Sequence, residues 1–353
     1  MEAVAAHARE TAPDVPPHAP EAGWIRRLLG PFYVTGVFWY RIHRFGVRIL
    51  PSWGIRLLLP LFTGVFFVAL RNIRGAIAAN LVPVLGPCGW WRRQRRIFRT
   101  LWSFSWCLSE RYERLSTRRA FRVEADGLEH WQALNGSGRG FILVTAHIGN
   151  WEVGSMLPAD QEKRIVHVVR EAEGDPRAQR FIANLIRQAA CGHYITHFAE
   201  DPQLGMVLLD ALREGEVVAL QADRPRAGGQ SVEAALFGEP FPLPVGPSAL
   251  ARAAEVPILP VFVFREGRLS YRCAIRPPIV VARTADRRAD VKAAVHRLAG
   301  ELEWAIAHRP HQWFCFRKLW SGGGSRPHGS DGTQVLIAPP RIPAPPAPST
   351  RTS

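Results

Sequence analysis

Short β-rich runs, FILVTA (141–146), RIVHVV (164–169), EVVALQA (216–222) and PILPVFVF (257–264), recur between segments of helical spacing at 176–190, 202–213 and 288–308. Parallel strands need crossovers of a dozen or more residues, and helices fill that length while covering both faces of the sheet. Apolar strands alternating with helices therefore specify an α/β domain with a mixed, largely parallel sheet flanked by helices, here over about 119–320. Gly246-Pro247 ahead of SALARAAE marks a helix start, because the N–H that proline lacks has no partner in a first turn.

The residues before that domain have a different character. The whole chain carries a net charge of +15, and residues 23–118 with Arg119 account for all of it, with 17 arginines, no lysine and two glutamates, Glu110 and Glu113. Seven of the twelve tryptophans lie in the same stretch. Arginine and tryptophan together suit a surface of lipid headgroups. A nucleic-acid groove would also favour cations and aromatics, but it would leave apolar runs such as LLLPLFTGVFFVAL (57–70) in water, so no nucleic-acid partner is expected. That run has 14 uncharged residues between Arg56 and Arg71, short of the roughly 20 that a spanning helix needs, and it reads as an interfacial anchor, with a tilted span or re-entrant segment lengthened by the flanking arginines as the alternative. Residues 23–118 are thus expected to form a basic, helical, membrane-associating region. Residues 1–22 and the Gly/Pro-rich 321–353 read as disordered tails, and Met1 to Pro20 lacks the pattern of a cleavable signal.

The chemistry concentrates in FILVTAHIGNWEVGS, where an apolar strand stops at Ala146 and a polar turn delivers His147, Gly149, Asn150 and Glu152. Active sites of open α/β sheets gather where strands end and helices begin. With His147 in the turn and a helix starting near Asn150, a good cap residue, Glu152 falls in the first turn, where the helix dipole favours a carboxylate. Glu152 can then accept one imidazole N–H and leave the other nitrogen as a base. The alternative is a satisfied histidine at a strand end beside a capping glutamate.

The whole stretch resembles the H-x-G-N-W-E block of the lipid A biosynthesis late acyltransferases, within the lysophospholipid acyltransferase superfamily. Further blocks follow in order: LQADRP (220–225), FGEPFPLPVGPSALARAAEVPILPVF (237–262) and HRPHQWFCFRKLW (308–320), with RNIRGAIAANL (71–81) a looser match upstream. The resemblance spans about 70–320. It implies a glycerolipid-acyltransferase-like fold with a hydrophobic acyl groove, His147 as general base and Glu152 as its partner. It also implies that Arg170 and Asp223 belong to the site. In the implied reaction a lipid or glycolipid hydroxyl attacks the thioester of an acyl carrier protein or of CoA. Arg170 or backbone N–H groups near Gly149 would stabilise the oxyanion. No metal, cofactor or covalent enzyme intermediate is required, and the implied location is the cytoplasmic face of the bacterial inner membrane. Arg224 and His311 stand where family members usually carry Gln and Glu, on surfaces expected to meet substrate; Asn150, Arg170, Asp223 and Arg224 are accordingly assigned to substrate binding.

Other clusters have plainer readings. Asp223 and Arg224 could form a structural ion pair at a strand end. His193 and His197 lie four apart in a β-favouring stretch, where one metal ion could not reach both, and His167 reads as a packed core residue. The five cysteines form no C-x-x-C pair, which fits a reducing compartment. An acyl-thioester hydrolase and a catalytically silent lipid-binding protein are the alternative functions, separated by fatty acid release without acceptor and by loss of all turnover.

Overall fold

The computed structural model describes residues 42, 45–46, 49–50, 52–117, 120–151, 164–171, 194–226 and 229–320. Glu152, His193, the 176–190 segment, residues 1–22 and residues 321–353 lie outside these.

Among the described residues, seven strands form one sheet in the order β1-β9-β8-β2-β5-β3-β4. They are β1 (Arg122–Asp126), β2 (Phe141–Thr145), β3 (Val166–Arg170), β4 (Tyr194–Phe198), β5 (Val217–Gln221), β8 (Ile258–Gly267) and β9 (Ser270–Ile275). Every neighbouring pair is parallel except β8 with β9, so the sheet is mixed and largely parallel, as the alternation predicts. A separate antiparallel hairpin, β6 (Ser231–Leu236) and β7 (Glu239–Pro244), is not evident from the sequence pattern; its prolines disguise a strand. This hairpin is tolerated because its second strand has no other neighbour that requires its N–H groups.

The helices α4 (Leu128–Gly136), α5 (Leu204–Arg213), α6 (Gly246–Ala254) and α7 (Arg287–His308) belong to the same domain. Helix α6 does begin at Gly246 with proline in its first turn. Strand β2 lies at the centre of the sheet, between β8 and β5, and Phe141, Ile142 and Val144 are completely buried. Each such side chain contributes about 1.5–3 kcal/mol by leaving water, which makes β2 a rigid mount for the polar turn at its carboxyl end.

The helices α1 (Ser52–Ala69), α2 (Arg71–Leu85) and α3 (Trp90–Thr117) precede the sheet. The apolar run of α1 ends at Leu70, whose backbone leaves the helical region (φ −94°, ψ 66°), and α2 departs at 90°. No single helix among the described residues is long and apolar enough to cross a membrane, although the bent pair reaches that length and composition together. Helix α3 is fastened to the β8–β9 hairpin by buried charge pairs. The Glu110 carboxylate takes a bidentate pair of hydrogen bonds from Arg265 at 2.9 and 3.0 Å, one from the Leu269 N–H at 3.1 Å, and a short one from the Tyr271 hydroxyl. Glu113 is bound in the same way by Arg268. The only two acidic residues of the basic region are therefore both used inside the protein.

Candidate active site

Strands β2 and β5 pair in parallel with Thr145 opposite Gln221, and the ladder continues through the Ala222 N–H donating to the Thr145 carbonyl at 3.0 Å. His147 and Asp223 each lie two residues beyond those partners, so the register sets them side by side at the carboxyl edge of the sheet. His147 Nδ1 meets Asp223 Oδ1 at 2.7 Å. On the other side of the ring, an Arg224 guanidinium nitrogen lies 2.7 Å from His147 Nε2. The sequence places Asp223 and Arg224 in a pair with each other or around a substrate; in the structure both reach His147.

Asp223 is completely buried, and its second oxygen, Oδ2, accepts a hydrogen bond from the Trp313 indole at 2.9 Å. Burial by itself would push this carboxyl up. The adjoining His147, by its charge when protonated and by its hydrogen bond, together with the Arg224 charge and the Trp313 indole, outweighs burial and holds the group well below the usual carboxylate range. Asp223 is thus a fixed anion under the imidazole, while the His147 side chain stays about one-fifth exposed to the cavity above.

The closing segment of the domain holds the turn in place. Ile148 bridges Trp313 in antiparallel fashion, the Phe314 N–H donates to the His147 carbonyl at 2.8 Å, and the Gly149 N–H donates to the Gln312 carbonyl at 2.9 Å. Gln312 then grips strand β8 with its side chain, accepting from the Arg265 N–H and donating to the Arg265 carbonyl. Gly149 has φ +55°, and a Cβ there would lie 2.0 Å from the Val263 carbonyl oxygen, so both the conformation and the close approach call for glycine. Of the backbone N–H groups near Gly149, its own is committed to the Gln312 carbonyl and that of Ile148 to the Ala146 carbonyl.

Asn150 immediately precedes the helical residue Trp151, at the expected start, and its side chain is buried. Its amide donates to the Tyr271 hydroxyl at 3.3 Å and weakly to the Cys107 carbonyl at 3.5 Å, tying the turn to the Glu110 network. Glu152 is outside the described residues, so the carboxylate seen against His147 is Asp223.

A cavity of about 830 Å³ opens above His147, where the carboxyl ends of β2, β5 and β3 meet. Leu204, Leu208, Leu220 and Leu250 supply apolar wall, and Arg170, Arg224 and Arg226 supply cations. Arg170 ends β3, as the resemblance places it in the site, and stands 5.6 Å over the Trp151 ring. The mixture suits a ligand with a long apolar part and an anionic or developing negative charge. His167 is buried, as expected, with His197 2.7 Å away and Glu216 against its other nitrogen. No group of three or more His, Cys, Asp and Glu side chains among the described residues is placed to hold a metal ion.

Sequence pattern alone does not single out Trp313 and Gln312 as site residues. Their signal is present in the Pro-x-Gln-Trp block, but their contacts with Asp223 and Gly149 depend on long-range folding.

Comparison with known proteins identifies the family. The model of the bacterial lipid A biosynthesis acyltransferase family matches residues 28–321. A phosphatidylinositol mannoside acyltransferase of Mycobacterium tuberculosis is 27% identical over 282 residues, covering 78% of this chain and 85% of that one. Its counterpart from Mycolicibacterium smegmatis is 24% identical, covering 56% and 62%. The solved 1-acyl-sn-glycerophosphate acyltransferase PlsC of Thermotoga maritima aligns with 70% of this chain and 95% of its own at 18% identity and a TM-score of 0.31. The fold described above rests on strand order and not on that superposition. Since the family match runs through the helices, the sheet and the closing segment alike, the chain belongs to the bacterial lipid A biosynthesis acyltransferases and is an acyltransferase for lipid or glycolipid acceptors.

Proposed function

We propose that the protein is a membrane-associated acyltransferase that carries a fatty acyl group from an acyl carrier protein or CoA thioester to a lipid or glycolipid hydroxyl at His147. The His147–Asp223 contact at 2.7 Å carries this reading. Asp223 accepts the Nδ1–H, which fixes the tautomer and favours the imidazolium once Nε2 has taken a proton. The acceptor oxygen attacks the thioester carbonyl as its proton passes to Nε2. The tetrahedral intermediate then collapses with cleavage of the C–S bond, and the imidazolium returns the proton to the departing thiolate. Asp223 here takes the orienting role expected of Glu152, and Glu152→Gln beside Asp223→Asn assigns that role to one or the other.

Membrane association is supported by the outer face of the helices. Trp53, Leu57, Leu61 and Val65 recur every four residues on α1 and are all exposed, and Trp90 and Trp91 project at the start of α3 beside exposed Arg92 and Arg93. Such a face suits the headgroup region of an anionic bilayer on the cytoplasmic side of the inner membrane.

Purified protein mixed with labelled acyl thioester and extracted membrane lipid is expected to form an acylated lipid. Release of free fatty acid at the same rate with and without lipid would instead identify a thioester hydrolase.

A further inference from the structure

We propose that Arg224 is a catalytic residue with two positions: in the resting enzyme it occupies the lone pair of the His147 base, and in the reaction it transfers to the oxyanion of the thioester carbonyl. This rests on the reading of His147 as the base.

A guanidinium only donates hydrogen bonds, so the nitrogen facing Arg224 at 2.7 Å, His147 Nε2, carries no proton. The ring proton is then on Nδ1, where Asp223 Oδ1 receives it. This is the tautomer a base needs, yet the lone pair that must take the acceptor's proton already holds Arg224. Arg224 lines the same cavity as His147, so its flexible stem can move the guanidinium within the space where a thioester would lie.

The reaction supplies the drive for that movement. When Nε2 takes the acceptor proton, a cation forms beside the guanidinium, and the two repel. At the same moment the carbonyl oxygen of the thioester gains the electron pair displaced from its π bond and becomes an anion. Collapse of the intermediate returns that pair to the carbonyl, breaks the C–S bond and releases a thiolate, which takes the proton from His147. Nε2 is then free to receive Arg224 again. The local backbone strengthens the assignment, because the Ile148 and Gly149 N–H groups are spent on Ala146 and Gln312.

The test compares Arg224→Ala and Arg224→Lys with the parent protein. One readout is turnover of labelled acyl thioester with membrane lipid; the other is the rate at which diethyl pyrocarbonate modifies His147 at fixed pH, followed by mass spectrometry of the His147 peptide without substrate. Arg224→Ala should lower kcat by about 10²–10³-fold, as loss of one oxyanion donor does, while His147 is modified several-fold faster. Methylguanidine should restore part of the rate to Arg224→Ala, and Arg224→Lys should lie between the two. Unchanged or faster turnover in Arg224→Ala would overturn the oxyanion role, and an unchanged modification rate in both folded variants would overturn the masking. His147→Ala run alongside separates the two levels. If it stays active, the base reading itself fails; if it is inactive while Arg224→Ala is unimpaired, only the role of Arg224 fails.

Discussion

His147 and Asp223, 76 positions apart, meet at 2.7 Å because the strands before them pair in register. FILVTAH and VVALQAD line up residue for residue, from Phe141 with Val217 to Thr145 with Gln221, and the next pairs are Ala146 with Ala222 and His147 with Asp223. Replacing Asp223 by Asn keeps the shape, but with its oxygen held by the Trp313 N–H it turns an NH2 donor toward His147 Nδ1 and selects the wrong tautomer. The expected loss in kcat is about 10³–10⁴-fold with little change in KM, measured by acyl transfer at saturating donor. A loss under tenfold would mean that Asp223 does not orient the base.

Trp313 holds the other oxygen of the same carboxylate. In Trp313→Phe most of the ring packing stays, but a buried charged oxygen loses its donor. Hydrogen bonds to charged groups are worth about 1.5–3 kcal/mol, so thermal unfolding should shift downward, and kcat should fall by about tenfold as Asp223 loosens. An unaltered pH–rate profile and kcat would reduce Trp313 to packing alone.

The link between α3 and the sheet predicts a stability effect far from the cavity. Glu110→Ala leaves Arg265 buried without its carboxylate and also frees Tyr271 and the Leu269 N–H. Breaking a buried ion pair by removing one partner costs about 3–5 kcal/mol, so denaturant melts of this variant should show a large loss. Because Tyr271 also holds Asn150, activity should fall at temperatures where the protein is still folded.

His311 gives a pH dependence with a definite sign. Its Nδ1 is buried without a partner among the described residues, and burial, with the charges of Arg99, Arg96 and Arg95, pushes its pKa down to about 4. The unfolded chain takes up a proton near 6.5, as an ordinary histidine does, while the folded protein does not until about 4. The unfolded state therefore binds more protons in that window, and stability falls as pH drops from 6.5 toward 4. His311→Gln should lessen the drop in Tm between about pH 7 and about pH 5; an equal drop in both proteins would contradict this origin.

Much of the fold is legible in the sequence because buried parallel strands announce themselves as apolar runs: β2 and β5 lie within one residue of FILVTA and EVVALQA, and β8 starts one residue into PILPVFVF and runs three residues past it. Less regular strands are not legible in this way. Strand β1, RVEAD, is charged and at the sheet edge, and β7, EPFPLP, hides behind three prolines, so pairing rather than propensity makes them strands. The site divides similarly. His147 is visible because a polar turn interrupts an apolar run, whereas its partner depends on which strand neighbours β2. Local spacing points to Glu152, five residues on; strand register points to Asp223. Arg224 and Trp313 join them through contacts that no local pattern encodes.

The most direct measurement is the single-turnover rate of acyl transfer from a labelled thioester to membrane lipid by His147→Ala, with the folded state checked by thermal melting. A rate lowered by at least about 10²-fold in a protein that melts like the parent is the expected result. A rate within a few-fold of the parent would show that the imidazole at the end of β2 does not move the proton, and the mechanism built on it would fall.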